Sequence, residues 1–149
     1  MSGNVHLGQA LVEAGVIDDQ QLKSAVAYQK QWGGTLGKVL VDNGFVSEDT
    51  LVSAIHKHTG VDVIKLVDLE IDSNAVSLVP AKLTRKYGLI PVRLEETPGD
   101  LMETLVVAMS DPTNLAALDE IRFRCGKKTK PLLAAQNEID QAIEKHYGT

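Results

Sequence analysis

The sequence predicts an α+β protein: a duplicated helix–turn–helix unit at the N-terminus, then a small α-β-β-α-β-α unit with a three-stranded sheet. Three observations carry that prediction. A 24-residue pattern occurs twice, as LGQALVEAGVIDDQQLKSAVAYQK (Leu7 to Lys30) and LGKVLVDNGFVSEDTLVSAIHKHT (Leu36 to Thr59), at a constant offset of 29 residues without a gap. Beyond Gly60 the helical spacing of apolar residues gives way to short extended runs. Two of those runs, LIPVRLEE and ETLVVAMS, flank the turn TPGD.

Within the first copy, Leu7, Ala10, Leu11 and Ala14 lie at i, i+3, i+4 and i+7, the spacing of one apolar helical face. Gly15 stands where a helix end favours a left-handed residue. Asp18 or Asp19 caps the next helix, whose apolar face is Leu22, Ala25, Val26 and Tyr28. The second copy repeats the plan: Leu36, Val39 and Leu40 lead to Gly44, and Ser47-Glu48-Asp49 opens a helix carrying Leu51, Ala54 and Ile55. Gly33-Gly34 breaks the chain between copies. Identity between them falls almost throughout on apolar and glycine positions (Ser24/Ser53 is the exception), so the duplicated feature is a fold unit with its packing face. Two copies are too few for a solenoid, which leaves a compact pair of approximate symmetry.

The expected organisation is a helical subdomain over 1–60 (repeats 7–30 and 36–59), a connection over 61–79 and an α+β subdomain over 80–149. In the connection, Val61, Val63, Ile64 and Leu66 read as extended, VDLEI alternates, and Ser73 to Val79 reads as a short helix or turn. Pro80 suits the first turn of a helix ending at Gly88. The two β-runs form a hairpin, because Pro and Gly preset the dihedrals of TPGD. Asn114 to Cys125 is a helix stopped by Gly126, KTKPLLAA is a third strand, and 137–147 a last helix with Ile139, Ala142 and Ile143 on one face.

Composition narrows the function classes. The chain has 149 residues, 44% apolar and 23% charged, as in a globular domain. Aromatic residues make up 4% and the net charge is −5, which argues against a DNA or RNA partner. No run approaches the ~18 apolar residues of a membrane span, so direct membrane insertion is not expected. The N-terminus lacks the layout of a secretory signal, and the protein reads as cytoplasmic. Cys125 has no cysteine partner for a disulfide or zinc site and reads as a small buried hydrophobe.

Catalytic motifs are absent: there is no phosphate-binding loop, no G-x-S-x-G and no paired cysteine ligands. His56 and His58, two apart, face different directions on a helix and do not make a metal pair. The pairs Asp18-Asp19 and Glu48-Asp49 suit helix N-termini. Arg122, Arg124, Lys127, Lys128 and Lys130 form a basic cluster that reads as a solvated face, with an acidic partner surface as the alternative. No enzyme activity, cofactor or metal is expected.

Both halves together resemble the N-terminal domain of type II secretion and type IV pilus assembly ATPases, of the MshEN type. The second half carries this in PAKLTRKYGLIPVRL, LVVAMSDPTNLAALDEIRFRCGKKTKPLLA and EIDQAIEKHYG. The first half carries it in the paired Leu-Gly-x-x-Leu…Gly…Leu-x-x-Ala units. The resemblance implies a cyclic-di-GMP site formed by both units. Carried over by position, it comprises His6, Leu7, Gly8, Leu11, Leu22, Ala25 and Gln29 in the first unit and Leu36, Gly37, Leu40, Leu51, Ile55 and His58 in the second. Leucines would cover the guanine faces. An amide such as Gln29 both donates and accepts at a guanine edge, and glycines at helix starts allow the backbone to approach phosphate.

Two departures stand out. His6 replaces the Arg that precedes Leu-Gly in the family, and His58 replaces the Gln that ends the unit. Arginine stays cationic with a planar fork of donors, whereas histidine titrates near neutral pH and offers at most two. Binding weaker or more pH-dependent than in the family is expected. The resemblance implies a non-catalytic regulatory domain, stand-alone or part of a longer chain. Its partners would be cyclic-di-GMP and a secretion or pilus assembly ATPase or membrane platform protein. The alternative is a protein adaptor without nucleotide binding.

Overall fold

The computed structural model describes residues 3–148, with side chains described from residue 7 onward. Four helices make up the first part: α1 Gly3–Glu13, α2 Asp19–Trp32, α3 Leu36–Asp42 and α4 Glu48–Thr59. After them come α5 Ser73–Ser77, α6 Ala81–Tyr87, β1 Leu89–Glu95, β2 Thr104–Met109, α7 Leu115–Cys125, β3 Lys128–Leu133 and α8 Gln136–Tyr147. The predicted α+β class and the duplicated helix–turn–helix are both present.

The duplication is geometric as well as sequential. Gly15 N–H bonds Val12 C=O and Val16 N–H bonds Leu11 C=O; 29 residues on, Gly44 bonds Val41 and Phe45 bonds Leu40, all at 3.0 Å. These paired bonds satisfy carbonyls that a helix end leaves open, and they require the left-handed residue between them. Gly15 and Gly44 supply it with φ of 75° and 76°. Each second helix is then capped by its predicted side chain. Asp18 accepts from Gln21 N–H at 2.7 Å in a reciprocal capping box, and Ser47 accepts from Thr50 N–H at 3.2 Å.

Leu7, Leu11, Ala25, Leu36, Leu40, Leu51 and Ile55 pack into one core beneath the four helices. Tyr28 departs from expectation. It is 42% exposed and stacks at a tilt on Trp32, 6.4 Å between ring centroids. Its position on α2 faces outward because Ala25 and Val26 already fill the stripe.

The sheet has the order β1-β2-β3, antiparallel between β1 and β2 and parallel between β2 and β3. Helix α7 makes the crossover that a parallel pair needs. Leu105, Val107 and Met109 face one helical layer with Ala117 and Ile121 of α7 and Leu83 of α6. Ala108 faces the other with Ile139 and Ile143 of α8. Burial on both faces explains why β2 reads as a continuous apolar run. Cys125 is half-buried against the α7 layer.

The connection does more than extend. Ile64 N–H bonds Leu133 C=O and Leu133 N–H bonds Asp62 C=O, both at 2.8 Å, so the segment leaving α4 pairs with the end of β3. Leu133 itself belongs to the helical core. Sheet and helices are therefore joined through one strand end.

Candidate functional site

The second helical unit seats on the α+β unit through a polar junction built on Gln136, the first residue of α8. Gln136 is buried; its Oε1 accepts from Ser110 Oγ at 2.6 Å and from Thr35 Oγ1 at 3.4 Å, and its Nε2 donates to Asp140 Oδ1 at 2.9 Å. Asp140 also accepts from Lys38 Nζ at 3.4 Å. Thr35 is at the same time the N-cap of α3. The N-cap of α8, Ala135, has no side-chain acceptor, so Glu48 of α4 supplies one from across the junction, accepting from Asn137 N–H at 2.9 Å. A carboxylate there also complements the helix dipole.

Beside this junction lies a cavity of about 250 Å³. Its floor is apolar, from Val41, Leu51, Val52 and Ile55, and its polar lining comes from Lys38, Asp42, Glu48, Ser110 and Gln136. A larger open groove of about 610 Å³ runs between α1 and α4, lined by small side chains (Ala10, Ala14, Ser53, Ala54) with Glu13, Asp49, Lys57 and His58 at its edges. Of the positions predicted from the resemblance, the groove holds His58, whereas the cavity holds Gly37, Leu51 and Ile55. The smaller space is the better candidate because it combines an apolar floor with convergent polar groups.

The remaining predicted positions divide by burial. Leu7, Leu11, Ala25, Leu36 and Leu40 are in the core, where they hold the helices together. Gly8 and Gly37 are buried beneath leucines of their own unit: a β-carbon on Gly8 would stand 2.5 Å from Leu22 Cδ1, and one on Gly37 3.1 Å from Leu51 Cδ2. The close approach these glycines permit here is that of a side chain. Leu22 is half-buried, and Gln29 donates its Nε2 to Gly34 C=O at 2.9 Å, closing the linker between the units. His58 is exposed on α4. His6 lies in α1, and its side chain is outside the described residues.

Sequence reasoning missed Gln136, Glu48 as a cross-junction cap, and Asp111. Asp111 is buried; its Oδ1 accepts from Thr113 N–H at 3.0 Å and from the Thr113 hydroxyl, while Oδ2 has no hydrogen-bond partner among the described residues. A buried carboxylate oxygen left open is costly. The signal for it was the SDPTN turn, which reads equally well as a strand stop.

The basic cluster is paired within the chain. Arg122 meets Asp119 at 3.2 Å, Arg124 meets Glu120 at 3.6 Å, Lys127 meets Glu103 at 3.0 Å and Lys130 meets Glu95 at 3.9 Å, while Lys128 binds Asp100. The hydrogen bond from Lys128 holds the Asp100 carboxyl below its ordinary range, and that from Tyr87 does the same for Glu120. Among the described residues no group of three His, Cys, Asp or Glu side chains could hold a metal ion, and no helix is long and apolar enough to cross a membrane.

Fold and junction together define a class: tandem helix pairs docked through polar contacts on a mixed three-stranded α+β layer. The chain belongs to the MshEN domain family, which matches residues 59–149. Type IV pilus assembly ATPase PilB of Myxococcus xanthus is 33% identical over 147 residues, covering 99% of this chain and 25% of that protein. PilB of Thermus thermophilus is 30% identical over 145 residues, covering 97% and 16%. The chain thus spans a quarter or less of the length of these relatives. Among solved structures, MshE with cdg (cyclic-di-GMP) aligns at TM-score 0.64 and 30% identity over 95% of this chain and 98% of that one. The N-terminal domain of XpsE aligns at TM-score 0.69 and 23% identity over 97% and 96%, and shares the fold. The domain is of the type carried by pilus and secretion ATPases.

Proposed function

We propose that this domain is a non-catalytic regulatory module that takes cyclic-di-GMP across its two helical units. The observation that carries the reading is the duplicated frame, Gly8 under Leu22 and Gly37 under Leu51. A two-fold repeated scaffold suits a ligand with two identical bases. MshE, 30% identical to this chain, was solved with that dinucleotide, which supports the reading.

In this reading Leu7, Leu11, Ala25, Leu36 and Leu40 shape the frame, while Leu22, Leu51, Ile55, Gln29 and His58 offer surfaces to the ligand, and His6 keeps only the place that the resemblance gives it. The ligand acts through its differential affinity for two postures of the helical units. The Gln136 junction passes posture to the α+β unit, and that unit to an assembly ATPase or membrane platform protein in the cytoplasm.

Calorimetry with cyclic-di-GMP tests the proposal. Saturable heat and a thermal shift are expected. Gln29→Ala is expected to abolish binding while the fold remains. Absence of heat and of thermal shift at high ligand would sink the reading. The second reading, a protein adaptor, rests on Leu115 and Phe123, which are 67% and 90% exposed on α7. It predicts that silent titration.

A further inference from the structure

The cavity beside the junction carries two carboxylates, with Lys38 beside them, and the duplication repeats the carboxylates. Val41, Asp42, Glu48, Leu51 and Ile55 line it. Twenty-nine residues earlier stand Val12, Glu13, Asp19, Leu22 and Val26. Both carboxylates and the apolar floor are therefore present in each unit. The two copies differ in cover: the second is roofed by Ser110 and by residues 134–137 of the α+β unit, whereas Glu13 and Asp19 are exposed and Leu22 and Val26 half-buried.

Glu48 is the carboxylate best placed to bind. It is half-buried, its Oε1 takes the Asn137 N–H, and its Oε2 takes no hydrogen bond or ion pair among the described residues. Asp42, by contrast, is engaged with Lys38 at 3.9 Å. An ionised carboxylate only accepts. The guanine edge carries two adjacent N–H donors, on N1 and N2, which match it. The corresponding adenine edge carries a bare N1 acceptor, which a carboxylate repels. The cavity of about 250 Å³ falls below the roughly 300–1,000 Å³ of sites for drug-sized ligands. It has room for one base.

We infer that the roofed cavity of the second unit seats one guanine of the ligand, with Glu48 as the residue that selects guanine, and that Asp19 is its weaker counterpart on the open first unit. The inference rests on the cyclic-di-GMP reading above.

Calorimetry on wild type, Glu48→Gln and Asp19→Asn, with cyclic-di-GMP and with cyclic-di-AMP as the base control, tests it. Glutamine keeps an acceptor for Asn137 N–H, so Glu48→Gln should stay folded, its unfolding temperature lowered only by the small helix-dipole contribution of the charge. Its affinity for cyclic-di-GMP should fall about ten-fold or more, as loss of a charge-assisted bond requires. Its affinity for cyclic-di-AMP should not fall. Asp19→Asn should cost less than about three-fold, because water screens the exposed seat. Glu48→Asp, which withdraws the carboxylate by one methylene, should also weaken cyclic-di-GMP binding. Wild-type binding with Glu48→Gln and Glu48→Asp unchanged within about two-fold overturns this assignment and leaves the domain reading standing. Failure of wild type to bind cyclic-di-GMP overturns the nucleotide reading, and this inference with it.

Discussion

Leu22 lies across Gly8 so closely that a β-carbon at residue 8 would stand 2.5 Å from Leu22 Cδ1 and 3.4 Å from Leu36 Cδ2. The equivalent contact in the second unit, Gly37 with Leu51, is looser at 3.1 Å. Alanine at either position gains helix propensity of up to about 1 kcal/mol over glycine. At residue 8 it must also drive Leu22 from its rotamer, at about 0.5–1.5 kcal/mol, and crowd a filled core. Urea unfolding should therefore place Gly8→Ala about 1 kcal/mol below Gly37→Ala. In a Leu22→Ala background the penalty should vanish and Gly8→Ala become stabilising. Equal effects in both backgrounds would show that Leu22 does not set the cost.

Gly88 and Gly126 close α6 and α7 in the same left-handed conformation, at φ of 63° and 68°. They differ in surroundings. A β-carbon on Gly88 would stand 2.8 Å from Gln136 Oε1 and 3.1 Å from Thr35 Cγ2, whereas one on Gly126 meets nothing within 4 Å. Gly126→Ala should cost about 1–2 kcal/mol, the left-handed penalty alone. Gly88→Ala should cost more, about 2–4 kcal/mol, because it also displaces the buried amide of the junction. Equal losses in denaturant unfolding would contradict the role given to Gln136.

Tyr147 donates its hydroxyl to Val76 C=O at 2.9 Å, tying α8 to α5. Burial pushes its pKa up to about 12 from 10. The folded state thus holds the proton more tightly than the unfolded chain. The associated stability is fully present below pH 10 and is lost as pH rises from 10 to about 12. The thermal midpoint should fall across that window in wild type and fall less in Tyr147→Phe. Near neutral pH the same substitution should cost about 1 kcal/mol for the lost hydrogen bond. Parallel pH profiles would refute the linkage.

Local chemistry made much of the fold legible. Glycines 15 and 44, the caps Asp18 and Ser47, and the TPGD turn each act on neighbours within a few residues, so their meaning survives in the linear chain. The site was legible only in outline. The leucines of the repeat announce a face, and the structure commits most of that face to the core. What the helices leave over, Glu48 beside Asn137 and Thr35 beside Gln136, pairs residues 89 and 101 positions apart, for which no local pattern exists.

By itself, the sequence determined the two helix–turn–helix units, their pseudo-symmetry, the hairpin and the family. Each follows from periodicity, turn chemistry or residue identity at fixed spacing. Only the tertiary structure decided that the units are unequal. Docking through α3 and α4 places Ser110 and the start of α8 over the second copy's carboxylate and apolar floor, while the first copy's carboxylates stay exposed. The physical reason is that an internal repeat specifies the same unit twice, whereas one α+β layer, joined at Leu133, can cover it only once.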